Sequence, residues 1–69
     1  MFLPLRKNAS LVAVAKRARH REREAQKYHL HVRYDTLRNT KAVEDWNTLR
    51  EIAEHLERLA GLEEGWWRK

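Results

Sequence analysis

Cysteine is absent from this 69-residue chain, which removes disulfides and every thiolate zinc site from consideration. The same absence fits a reducing compartment, and we expect a cytoplasmic protein. Proline occurs once and glycine twice, and no residue between Pro4 and Gly61 is either of them. More than fifty residues therefore pass without a strong helix breaker. No apolar run approaches the eighteen or so residues needed to span a bilayer, so no membrane segment is expected. The only serine is Ser10, and there is no glycine-rich phosphate loop, so the usual nucleophile and phosphate-binding arrangements are missing. The chain reads as non-enzymatic, with no catalytic residue, cofactor, metal or small-molecule substrate expected.

The sequence is rich in charge and in good helix formers. Charged residues make up 36% of it and the net charge is +5. Residues 1–34 hold nine Lys/Arg against two acids, a net +7, whereas residues 35–69 hold six against eight, a net −2. Such an imbalance calls for an acidic partner of the first half or for neutralisation between the halves. The basic, acid-free opening has some transit-peptide character, but Leu11–Ala15 is too short for a secretory h-region.

Apolar spacing predicts two helices. The first stripe is Leu11, Val14, Ala18, Ala25, Tyr28 and Val32, interrupted at Arg21. The second is Trp46, Leu49, Ala53, Leu56 and Ala60, broadened by Val43, Ile52 and Leu59. Asn8 or Ser10 is the expected first cap, with Pro4 left outside the helix, and Gly61 followed by Leu62 reads as a left-handed stop. Asn39-Thr40 is the expected reversal, with Thr40 capping the second helix. The prediction is an all-α, single-domain, two-helix antiparallel hairpin: helix over about 9–38, turn at 39–40, helix over about 41–60, tail 61–69. A rival pattern runs through residues 28–34, where Tyr28, Leu30, Val32 and Tyr34 alternate with polar residues as in a strand of the ribbon-helix-helix kind.

A lone chain of this length buries only about 60% of the surface its unfolded form exposes, so the matched stripes predict a homodimer forming four helices. Val32, Trp46, Leu49, Ala53 and Leu56 are the expected core or dimer seam. The expected partner-binding residues are Arg17, Arg19, Arg21, Arg23 and Lys27 on one helix, Tyr34 near the hairpin tip, and Trp66 and Trp67 in the tail. Trp66 and Trp67 are equally expected to fold over the overhanging start of helix 1, where Leu11, Val14 and Ala15 need a cover, or over a dimer mate. Glu51, Glu54 and Glu57 are the acids expected to offset the basic cluster. His29 and His31, two residues apart, fall on different sides of a helix and make no metal pair there.

A larger protein is the favoured partner. The alternative is DNA or RNA held through phosphates by the basic helix. The basic segment is similar in composition to small nucleoid- and ribosome-associated proteins and RNA chaperones. The overall build resembles the small early proteins by which phages modulate their hosts. That likeness lies in length, helicity and available aromatic side chains; it implies an inhibitor that docks on a host protein and assigns no individual residue.

Overall fold

The computed structural model describes residues 4–68, with side chains from Ser10 onward. The first helix, α1, spans Pro4–His31, the second, α2, spans Thr36–Ala60, and a single 3-10 turn covers Trp66–Arg68. Extensive contact between α1 and α2 makes the chain an all-α antiparallel hairpin. Its Cα trace is an elongated plate measuring 52 × 24 × 13 Å. Among the described residues no helix is long and apolar enough to cross a membrane.

The start of α1 lies earlier than expected. Pro4 is its first helical residue rather than an excluded one, since a proline at this position gives up an N–H that has no partner anyway. The strand-like alternation of residues 28–34 does not form a strand: residues 28–31 complete α1, and Val32, Arg33 and Tyr34 make the turn. Helical geometry satisfies this segment's backbone locally, as in the 3.0 Å bond from Val32 N–H to the Tyr28 carbonyl.

The reversal is at residues 32–35, not at Asn39-Thr40. Asp35 has extended backbone angles and its carboxylate accepts the Arg38 backbone N–H at 3.1 Å, which makes it the N-cap of α2. The Asp35 carbonyl then receives the Asn39 N–H at 2.7 Å. Asn39 and Thr40 are helical residues with other tasks. The Asn39 side-chain amide lies 3.0 Å from His29 Nδ1, tying the two helices together, and Thr40 Oγ1 donates to the Thr36 carbonyl at 2.9 Å. Polar side chains that signal a turn are here satisfied inside a helix.

The end of α2 follows expectation. Gly61 has φ 76°, its N–H reaches the Arg58 carbonyl, and the Leu62 N–H reaches the Glu57 carbonyl. This is the paired bonding of a Schellman stop, which requires a left-handed residue.

The interior is made of small side chains. Among the described residues Ala15, Val32, Ala42 and Ala53 are the buried apolar ones, and no large side chain is fully buried. Alanines at 15 and 53 let the helices approach while leaving room beside them for long polar groups.

Candidate functional site

Three of the residues between the helices are charged or hydrogen-bonding rather than apolar. Arg19, Glu22 and Glu57 are buried to the same degree as the alanines. Arg19 lies four positions after Ala15 and three before Glu22, so all three share one helical face, and Glu57 lies one turn beyond Ala53 on α2. The Arg19 guanidinium grips Glu57 side-on, with Nε to Oε2 and Nη2 to Oε1 both at 2.7 Å. Its Nη1 donates to Glu22 Oε1 at 2.9 Å. Such a two-toothed, charge-assisted pair fixes direction as well as distance.

Two tryptophans complete the carboxylates. Trp46 Nε1 donates to Glu22 Oε2 at 2.6 Å, and Trp66 Nε1 donates to Glu57 Oε2 at 2.9 Å. Each indole thus brings an apolar body and one donor to a carboxylate that Arg19 alone leaves partly open. Trp46 also stacks on His29, with ring centroids 5.2 Å apart. Trp67 is ringed by cations, the Arg19, Arg23 and Arg68 guanidiniums lying 4.7, 5.2 and 4.7 Å from its centroid, and Lys16 lies 5.9 Å from Trp66. No buried side-chain nitrogen or oxygen among the described residues lacks a partner.

The electrostatics follow from this arrangement. The hydrogen bond to Glu57 holds the Arg19 proton more tightly than in an ordinary guanidinium; burial opposes this, and Glu22 reinforces it. Burial by itself pushes the Glu57 carboxyl up. The hydrogen bonds from Arg19 and Trp66 and the Arg19 charge outweigh it, and Glu57 titrates below the usual glutamate value. Arg19 and Glu57 therefore meet as an ion pair at neutral pH.

These contacts sort the expected binding residues. Arg17, Arg21, Arg23 and Lys27 are exposed on α1, whereas Arg19 is 5% exposed and committed to its two glutamates. A residue expected to meet a partner is instead the clasp between the helices. Trp66 and Trp67 are half-buried against α1, so the tail folds back over the hairpin instead of projecting from it. Of the acids expected to offset the basic cluster, Glu57 does so, through Arg19; Glu51 and Glu54 are exposed. Within the expected seam, Val32 and Ala53 are buried, while Trp46, Leu49 and Leu56 are half-buried. Trp46 donates to Glu22, stacks on His29 and has the Arg50 guanidinium 5.8 Å from its ring centroid.

Tyr34 stands apart from all of this at the turn. It is 88% exposed and Leu37, the second residue of α2, is 85% exposed. The Arg33 guanidinium lies 4.9 Å from the Tyr34 ring, and Arg38 pairs with Asp35 at 3.5 Å. Tyr28, Val32 and Tyr34 line a shallow hollow there with His31, Asp35 and Arg38. The tip thus offers aromatic and aliphatic surface with guanidiniums beside it, on a turn pinned by the Asp35 cap. Tyr34 was among the expected partner-binding residues, whereas Leu37, as exposed beside it, was not. Glu22 of the clasp was missed as well, because a search for apolar periodicity passes over it, whereas Glu57 was expected only as a counter-charge to the basic helix. The spacing Ala15, Arg19, Glu22, Gln26 and His29 is nonetheless that of one helical face. Comparison of the chain with protein-family models, curated proteins and solved structures finds no match, so the site is defined by its geometry alone.

Proposed function

We propose that this chain is a non-catalytic binding protein of the cytoplasm that docks, as a homodimer, on a larger protein and modulates it. The observation that carries the reading is the hairpin tip, where Tyr34 and Leu37 are almost wholly exposed beside Arg33 and Arg38. Tyrosine and arginine are over-represented among the side chains that dominate binding energy, and a turn held by a cap presents them with little ordering cost. The tail tryptophans, spent on the hairpin's own network, leave the tip as the main aromatic contact. Inhibition is the expected form of modulation for a chain that offers a docking surface and no chemistry.

A photo-crosslinking residue placed at position 34, with Tyr34→Ala combined with Leu37→Ser as the comparison, tests this in nuclease-treated lysate. The expected outcome is a protein adduct that survives nuclease, together with loss of capture by the double variant. Capture that vanishes on nuclease treatment, or that ignores the double variant, overturns it.

The second reading is nucleic-acid binding. Its support is that, among Arg17, Arg21, Arg23 and Lys27, only Lys27 pairs with an acid among the described residues, through Glu24 at 3.4 Å. Steep loss of affinity for random duplex or RNA with rising salt would favour it.

A further inference from the structure

The two broad faces of the hairpin are finished differently. The tryptophan tail covers the face that holds Arg19 and Glu57. On the other side Val14 and Ala18 of α1 and Leu49, Ile52 and Leu56 of α2 line a groove whose α1 rim carries Arg17 and Arg21. Five positions separate Ile52 from Glu57, which turns its side chain by about 140° around α2, away from the clasp. Leu49, Ile52, Leu56 and Leu59 repeat at steps of three, four and three, the spacing of a helix-packing seam. Yet Val14 is 38%, Ile52 47% and Leu59 56% exposed.

We infer that this aliphatic face receives a second copy of the chain, with α1 of each protomer lying along α2 of the other to close an antiparallel four-helix bundle. The homodimer named in the proposed function rests on this face. Size supports it first. A chain of 8.4 kDa buries only about 60% of the surface its unfolded form exposes, so an uncovered aliphatic stripe is surface that a second copy can bury. A second copy also brings an identical two-helix stripe, which covers the groove and its crests at Val14 and Leu59 together. A single helix from another protein fills the groove and leaves the crests wet.

Charge selects the pairing of helices. Residues 1–34 carry a net +7 and residues 35–69 a net −2. Stacking α1 on its own copy sets Arg17 and Arg21 against the same two arginines, which is repulsive. Stacking α1 on α2 about an axis parallel to the helices keeps each residue at its own height. The pairs Arg19–Glu57, Glu22–Trp46 and His29–Asn39 bracket that scale, and on it Arg21 stands level with residues 47–55 of α2, a stretch centred on the exposed acid Glu51.

Sedimentation equilibrium of the full chain from low to high micromolar concentration tests the inference with no other protein present. The expected mass is twice 8.4 kDa. Ile52→Glu combined with Leu59→Glu returns the single-chain mass, with the helical circular dichroism spectrum checked alongside. Arg21→Glu alone and Glu51→Arg alone each weaken association roughly tenfold, since two symmetry-related contacts become repulsive, and combining them restores it. This exchange touches only exposed side chains, so it decides the matter even if the double glutamate variant unfolds. A chain that is monomeric throughout, a dimer indifferent to the double glutamate variant, or a charge exchange that fails to restore association overturns the inference. Tyr34→Ala, at the tip, leaves the mass unchanged, so failure of the dimer and failure of the docking site are separately visible.

Discussion

The face under the tryptophan tail and the aliphatic face opposite it are built from the same two helices by different physics. The first is directional. A guanidinium fork, two carboxylates and two indole N–H groups fit in one arrangement, and each displaced member leaves a buried polar atom unpaired. The second face is a stripe of Val, Leu and Ile whose attraction to other apolar surface scales with area and specifies little geometry. The difference teaches how a hairpin with no fully buried large side chain among its described residues holds one register: the clasp sets the alignment, and the aliphatic face remains open to other surfaces. Buried ion pairs return little net stability compared with apolar packing, because desolvation opposes them. Their contribution here is uniqueness.

The comparison breaks most sharply at Arg19. Arg19→Ala leaves Glu22 and Glu57 buried without their cation, a loss of about 3–5 kcal/mol. A small domain has little more than that in total, so the helical circular dichroism signal at room temperature should collapse. A cooperative melt within about 1 kcal/mol of the unaltered chain would mean the clasp contributes nothing to register or fold.

Acid weakens the same face more gradually. The Glu57 carboxyl titrates below its ordinary value, so its contribution is fully present above the unfolded glutamate pKa of about 4.3. It is lost as pH falls through the lower folded-state value. Thermal melts should hold steady from neutrality down to that range and then fall, with Trp66 fluorescence shifting as its carboxylate acceptor is protonated. Glu57→Gln should flatten the part of the acid limb that belongs to this group.

The smallest effect belongs to the open face. Ile52→Ala, in solution dilute enough to hold single chains, should cost under about 1 kcal/mol, because the side chain is already 47% exposed and alanine is the better helix former. Chemical denaturation of the two proteins measures this. A loss as large as that of Arg19→Ala would show that the aliphatic face is core within one chain, and the contrast between the two faces would disappear.

Sequence periodicity reached the helices and the Gly61 stop because both depend on local signals: spacing, the absence of breakers, and a residue that tolerates φ 76°. It misplaced the turn. Val32-Arg33-Tyr34-Asp35 contains no glycine or proline and no residue with positive φ outside glycine is present among the described residues, so the reversal uses ordinary backbone angles and carries no mark but the Asp35 cap. Asn39 drew the prediction because its amide commonly closes a turn, while here that amide is used by His29 across the hairpin. The site divides in the same way. Tyr34 was legible as an aromatic residue near a turn. Arg19 looked like one more member of a basic face, and only the approach of α2 turned it inward.

The order of residues by itself determined that this chain is helical, that it folds as two arms, and that one arm is cationic, since propensity, periodicity and charge are properties of neighbours along the chain. Tertiary structure alone decided which arginine is withdrawn from the surface and which carboxylate and cations the tail tryptophans meet. It also decided which half of the apolar residues is left uncovered. Those outcomes depend on the alignment of two helices, and that alignment is set where Arg19, thirty-eight positions away in sequence, meets Glu57.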